Sequence, residues 1–320
     1  MAAVIMEWES RLGRRLRIRD IHILSTVVQC GSMAKAAQQL AMTQPAVSGA
    51  IASLEHVLRV RLLDRNPRGI EPTIYADALL RRASMVFDEL KQSVRDIEFL
   101  ADPTAGQVKI GCSESFMAGL LPAIIAKLSQ RHPKVVLHAD YAESATTEFR
   151  ELRERQVDLI IGRVSEPFIH DDLDVEALYE EKYYVVASAQ SPWARRRKVN
   201  LAELADEPWI HMPPNNIISA LIAEAFQRKG LQVPQERVAS LSMHLRTHLV
   251  ANAGFLTIMP NSMLQFCSQQ WALKALPIEL GIQSRNVSII TLKHRTLSPV
   301  VQLFIEHARA VTKSLAGCRG

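Results

Sequence analysis

The segment MAKAAQQLAMTQPAVSGAIASLE, residues 33 to 55, gathers short hydrogen-bonding side chains where a helix would begin. Thr43, Gln44 and Ser48 can exchange hydrogen bonds with base edges, glutamine pairing bidentately with adenine, and the Ala46 methyl can touch that of thymine. Arg59, Arg65 and Arg68 follow, with Arg61 among them, and guanidinium groups fork readily onto phosphate oxygens. Ser32 and Lys35, one short helix earlier, belong to the same polar set. This is the chemistry of holding a polyanion, not of breaking bonds.

Catalytic chemistry is thin elsewhere. His244 and His248 share a helix face, but HLRTH lacks the glutamate of a metalloprotease helix and no third ligand is evident, so no metal is expected. Cys30, Cys112, Cys267 and Cys318 lie far apart without a CxxC pair, which fits free thiols in a reducing compartment. There is no glycine-rich phosphate loop, nucleophile elbow or catalytic triad, and no cofactor is expected.

The elements that would carry the polar set can be read locally. In IRDIHILSTVVQC, Ile18, Ile21, Leu24, Val27 and Val28 make one helical stripe, and Gly31 is a natural stop. Ser32 can cap the next helix, MAKAAQQL, and Thr43 a third, in which Pro45 occupies the first turn, where its missing N–H costs no internal bond. Val47, Ile51, Leu54 and Leu58 would face inward. RVRLLDRNPRGIEPT then reads as two short strands about a Pro-Gly turn, a small wing. Ala36 and Ala37 are small where two helices must cross, so the whole is a helix-turn-helix whose second helix presents its N-terminal end outward.

Beyond the wing, Ala76, Leu79, Ala83, Val86, Leu90, Ser93, Ile97 and Leu100 recur at spacings of three and four, predicting one helix to about Leu100. A second copy of that helix would cover the seam; packing on the chain's own body is the alternative. ADPTAG, residues 101 to 106, reads as a linker. QVKIGCS, VVLHADY, VDLIIGRV, KYYVVAS, AGFLTIMP and NVSIITLKH read as strands. FMAGLLPAIIAKLSQRH, TEFRELRERQ and ISALIAEAFQRKG read as helices, so the remainder is α/β, with mainly parallel sheets, two rather than one.

At 320 residues the chain should form two or three compact units. Its composition is that of a soluble globular protein, and no apolar run is long enough to cross a bilayer. The first residues show no secretory signal, so a cytoplasmic location is expected. Residues 1 to 75 hold ten basic and six acidic residues, +4 of the total +5, which marks the N-terminal quarter as the polyanion-binding part.

The stretch GSMAKAAQQLAMTQPAVSGAIASLEHVLRVRLLDR resembles the N-terminal domain of LysR-type transcriptional regulators, and the order of elements after it matches as well. The resemblance implies a multi-domain chain: an N-terminal all-α winged helix-turn-helix, a long linker helix, and a C-terminal α/β two-subdomain module similar to periplasmic solute-binding proteins. The expected boundaries are an extension at 1–18, the DNA-binding domain at 19–75, a dimerising linker helix at 76–101, subdomain I at 107–180 and 285–320, and subdomain II at 181–284. It also implies a homodimer or homotetramer on pseudo-palindromic double-stranded DNA, control by a small-molecule effector, a carboxylate among the candidates, contact with RNA polymerase, and no enzymatic activity. A small-molecule binding protein or enzyme that uses the helices for assembly is the alternative. Three positions depart from the family pattern: Gly49 replaces a long polar residue, PTIYADALL follows the wing, and Arg155 stands at a common glycine position.

By the same resemblance the effector contacts are Ser113 and Ser115 in GCSESF, Thr146 beside Ala145, and Gly162 with Arg163 after VDLII. Met212, Pro213 and Asn215 of HMPPNN would close the site from subdomain II. Unpaired N–H groups and hydroxyls at helix starts favour an anion. Ser113 and Ser115 have helix capping as their alternative role. Arg163 is either the anion's counter-charge or half of a domain-closing ion pair. Cys112, next to this set, has no evident resolving partner for redox sensing.

Overall fold

The computed structural model describes residues 15–66, 69–142, 149–164, 170–214 and 217–316. The chain divides into two compact units, Met1–Lys91 and Gln92–Gly320.

In the first unit, α1 (Ile18–Cys30) ends on Gly31, whose φ of 62° places it in the left-handed region that glycine adopts without strain. Ile21, Ile23, Leu24, Thr26 and Val27 are buried, whereas Ile18, expected to face inward, is 48% exposed. The core takes Ile23 and Thr26 on the flank of the stripe and leaves the helix's first turn outside. Helix α2 (Met33–Gln39) is capped by Ser32, whose hydroxyl accepts from the Lys35 N–H at 3.5 Å. Helix α3 (Gln44–Leu58) starts at the Thr43 cap, Oγ1 accepting from the Ala46 N–H at 3.4 Å, with Pro45 in the first turn. Buried Ala36 and Ala37 let α2 approach its neighbours closely, and Leu24, Val27, Val47, Ile51, Leu54 and Leu62 fill the space between.

Strands β1 (Leu63–Asn66) and β2 (Gly69–Pro72) pair antiparallel as the wing. Three bonds position it. Glu55 Oε1 accepts from the Leu62 N–H at 2.8 Å and the Leu63 N–H at 3.4 Å, tying α3 to the first strand. The Ile70 N–H donates to the Gly31 carbonyl at 3.1 Å, and a Cβ on Gly69 would lie 3.0 Å from that oxygen, so the return strand needs glycine there. Helix α4 (Ile74–Ala101) then runs unbroken for 28 residues.

The second unit holds a five-stranded sheet in the order β4-β3-β5-β12-β6. Its strands are β3 (Ala105–Cys112), β4 (Lys134–Tyr141), β5 (Leu159–Val164), β6 (Leu173–Glu181) and β12 (Arg285–Leu292). Strand β3 is parallel to β4 and β5, while β12 is antiparallel to β5 and β6, so the sheet is mixed where mainly parallel pairing was expected. Strand β6 was not foreseen: acidic Asp174, Glu176 and Glu180 interrupt its apolar pattern and only Leu173, Tyr179 and Glu181 are buried. Strand β3 begins at Ala105, so the linker is only residues 102–104 and the strand starts two residues ahead of the expected boundary. Between β3 and β4 the single helix expected is two, α5 (Glu114–Ala118) and α6 (Leu120–Arg131), broken at Gly119 with φ −113° and ψ −83°. A Cβ there would meet the Ser115 carbonyl at 3.2 Å and the Met263 sulfur at 3.3 Å.

Helix α7 (Arg150–Arg153) is short; the N-terminal part of the helix expected over TEFRELRERQ lies outside the described residues. Arg155 just after it has φ 58°, which explains why glycine is the common choice there. Helices α5, α6 and α11 (Pro299–Ala316) cover the sheet through Phe116, Leu120, Ile124, Leu128, Val301 and Phe304.

The chain crosses at Lys182 into a second lobe. Strand β7 (Tyr183–Ser188) lies between β10 (Thr257–Pro260) and β11 (Leu273–Ala275), antiparallel to both. A parallel pair, β8 (Trp209–His211) and β9 (Glu236–Ala239), joins this sheet through a Trp209–Leu256 bridge. Helices α8 (Ile217–Arg228), α9 (Met243–Ala253) and α10 (Asn261–Cys267) complete the lobe, with Trp209, Phe226 and Leu204 at one core and Met243, Val250 and Met259 at another. Two main sheets thus build the α/β module, with the β8/β9 pair as an addition.

Candidate functional site

Two sites emerge, one in each unit. In the first, Thr43, Gln44, Pro45 and Ala46 are all exposed, side by side in the first turn of α3. They form a polar edge at the positive end of a helix dipole, suited to base edges and phosphates. Ser48, expected outward, is half-buried, because it follows buried Val47 around the helix. Gly49 is exposed with nothing within 4 Å of where its Cβ would be, so one step along the outer face is bare backbone. Lys35 is exposed; Ser32 is half-buried and its oxygen serves the cap. Arg59 is exposed at the C-terminal end of α3 with φ 56°. Arg65 lies in β1 opposite Ile70, and Arg68 falls outside the described residues. Sequence reasoning missed Glu55, whose carboxylate holds the wing to α3; the Leu-Glu pair was visible, but the backbone groups it serves were not.

In the second unit, β3 and β5 end side by side and bring Ser113, Ser115 and Arg163 together. Ser113 stands at the start of α5 without a side-chain cap bond; its hydroxyl lies 3.1 Å from that of Ser115. Arg163 donates from both Nη atoms to Ser115 Oγ at 3.1 Å and from Nε to Glu181 Oε2 at 2.5 Å. Its guanidinium rests over the Phe116 ring, 4.2 Å from the centroid, with the Tyr183 ring at 6.0 Å. Glu181 is fully buried and its other oxygen accepts from Tyr179 Oη at 3.2 Å and from Ser262 Oγ at 2.5 Å. Ser262 belongs to α10 of the second lobe, so this carboxylate joins the two lobes.

Burial alone would lower the proton affinity of Arg163, but the Glu181 charge outweighs it and holds the guanidinium above its ordinary value. Burial and the same charge push the Tyr179 phenol up. The ion pair, one of two roles open for Arg163, is the geometry formed. Glu181, Tyr179 and Ser262 were not singled out from sequence, since their partners are distant along the chain.

Gly162 is buried in β5 opposite Ser288. Met212 and Pro213 are half-buried after β8, Met212 packing on the second lobe's core and its carbonyl accepting from Ser219 Oγ at 3.4 Å. Thr146 and Asn215 lie outside the described residues. The second lobe adds a buried arginine, Arg246, bonded to Thr257 Oγ1 at 2.7 Å and to the Ile258 carbonyl at 2.5 Å, its pKa drawn down to about 10 by burial. Cys112 is wholly buried and its thiol is pushed up to about 12, so it stays protonated and weakly nucleophilic at neutral pH. Among the described residues no group of three or more His, Cys, Asp or Glu could hold a metal ion, and no helix is long and apolar enough to cross a membrane.

Comparison with known proteins bears on both sites. Residues 18–77 match the model of the bacterial regulatory helix-turn-helix protein, lysR family, and residues 101–313 that of the LysR substrate binding domain. The HTH-type transcriptional regulator GbpR of Azospirillum brasilense is 25% identical over 302 residues, covering 94% of this chain and 88% of its own length. A full-length OxyR variant from Pseudomonas aeruginosa shares the fold at a TM-score of 0.63 and 20% identity, over 93% of this chain and 95% of that one. CbnR, a LysR family transcriptional regulator, superposes at 0.59 with 18% identity, over 93% and 99% of the two chains. GbpR is a transcriptional regulator and the matched helix-turn-helix model is of regulatory proteins, which displaces the alternative of a small-molecule binding protein or enzyme that uses the helices for assembly. With both models matched in order along most of its length, the chain belongs to the LysR family of transcriptional regulators, a helix-turn-helix DNA-binding domain followed by an effector-binding module.

Proposed function

We propose that this regulator works in the cytoplasm and reads a pseudo-palindromic promoter site through the first turn of α3. The observation that carries this reading is the contiguous exposure of Thr43, Gln44, Pro45 and Ala46 beside a half-buried Ser48. Gln44 reads a base edge, Ala46 touches a thymine methyl, and Lys35, Arg59, Arg65 and Arg68 hold phosphates, with Ser32 fixing α2 in place. Residues 19–75 form the DNA-binding domain after an extension at 1–18, and 76–101 the linker helix. Residues 107–180 with 285–320, and 181–284, form the two effector-binding subdomains.

The effector is a small molecule, with a carboxylate favoured by the paired hydroxyls of Ser113 and Ser115. Thr146, Gly162, Arg163, Met212, Pro213 and Asn215 complete its shell. Its binding shifts the population of closed modules and so the DNA bend and the recruitment of RNA polymerase. Fluorescence anisotropy at two salt concentrations tests the DNA reading. Gln44→Ala should narrow the preference for operator over random duplex by about 10- to 100-fold. Arg65→Ala should weaken both alike and lower the salt slope by about one. Equal loss of preference from the two variants would refute these roles.

A further inference from the structure

At the opposite end of β5 from Arg163 sits a second buried ion cluster. Asp158, immediately before the strand, is 2% exposed and accepts at Oδ1 from Arg295 Nη2 at 2.9 Å and from Arg95 Nη1 at 3.1 Å. Its Oδ2 accepts from the Lys109 N–H at 2.9 Å, and its own N–H donates to the Lys109 carbonyl at 2.8 Å, fixing the start of β5 to the middle of β3. Arg295 also donates to the Val157 carbonyl at 2.9 Å. Arg95 belongs to the last turns of α4, and its side chain is 19% exposed.

One carboxylate therefore holds the linker helix, the loop before α11 and two core strands. The same two strands end, about 16 Å away at the rise of an extended chain, in Ser113, Ser115 and Arg163. Leu159, Ile160 and Ile161 between the two clusters are buried, so β5 has no room to bend and shifts as a unit.

We propose that Asp158 is a positioning residue, a latch that fixes the end of α4 to the effector-binding module, and that β5 carries rearrangement at Arg163 to it. The coupling half rests on the reading of Ser115 and Arg163 as effector contacts; the latch half does not. Arg95 leaves the cluster at least disruption to the fold, since Arg295 and the Lys109 N–H still satisfy Asp158 when it is removed.

Hydrogen exchange on the full-length chain tests both halves. Arg95→Met should raise exchange of the amides of residues 92–101 at least tenfold and leave those of β3 and β5 unchanged; unchanged exchange at 92–101 would overturn the latch. Ser115→Ala should also raise exchange at 92–101, several-fold, although it touches none of those residues. The Arg95→Met, Ser115→Ala double variant should add nothing beyond Arg95→Met. No effect of Ser115→Ala on 92–101, or simple additivity in the double variant, would overturn the coupling and leave the latch standing. A changed exchange with an intact transcriptional response in Ser115→Ala would refute the effector site alone. Asp158→Asn should reproduce the Arg95→Met exchange pattern at 92–101 if it folds, and Arg95→Met carries the test if it does not.

Discussion

Arg59 ends α3 in a left-handed conformation that costs an L-residue about 1–2 kcal/mol, where glycine would cost nothing. A side chain kept at such a position earns attention as a contact. Arg59→Gly should raise stability in urea by about 0.5–1 kcal/mol, the relief of strain being offset in part by the freer unfolded chain. It should also weaken binding to every duplex, operator or not, in the same anisotropy titration. A variant that is more stable and binds DNA as before would remove Arg59 from the phosphate contacts. The caps Ser32 and Thr43 were legible because capping is a local affair of three residues. Glu181 was not: its partners Arg163 and Ser262 lie 18 and 81 residues away, and only the fold brings them together.

Elements differ in the same way. The order and ends of the helix-turn-helix could be read, since alanines, caps, proline and glycine stop all act within one or two turns. Strand β6 could not, because Asp174, Glu176 and Glu180 on this edge strand mask its alternation; Glu176 finds its partner in Arg309 of α11. The periodic stripe of α4 was legible, and the structure divides it: Ala76 and Ala83 are buried against the core of the first unit, whereas Val86, Leu90, Ile97 and Leu100, with Val94 beside them, are 45% to 78% exposed in a single chain. LysR regulators form oligomers, and a second α4 is the natural cover. Leu90→Lys should raise the dimer dissociation constant by roughly 100-fold, since each copy forfeits about 1.5–3 kcal/mol of burial. Sedimentation equilibrium measures this, and an unchanged constant would place the contact elsewhere.

On the scale of the whole molecule, acid should lower the stability of the effector-binding module. His211 is buried with no partner at Nε2 among the described residues, and burial lowers its pKa. The unfolded chain therefore takes up a proton below about pH 6.5 that the folded one refuses, and stability falls with pH by at most about 1.4 kcal/mol per unit. Asp172 and Glu176, held below the usual carboxylate range by hydrogen bonds from Arg153 and Arg309, extend the loss to lower pH. His211→Gln should flatten the melting temperature between pH 6.5 and 5; an unaltered slope would assign the acid sensitivity to those carboxylates. The α4 helix has a consequence of another kind. Because its 28 residues run without a break, helical phase is conserved along it at about 100° per residue. One residue inserted after Leu90 would swing Val94, Ile97 and Leu100 a quarter-turn and more out of line with Val86, splitting the seam, whereas seven would return them to register. Sedimentation should find the first variant monomeric and the second associated, so that insertions here are tolerated by count and not by composition.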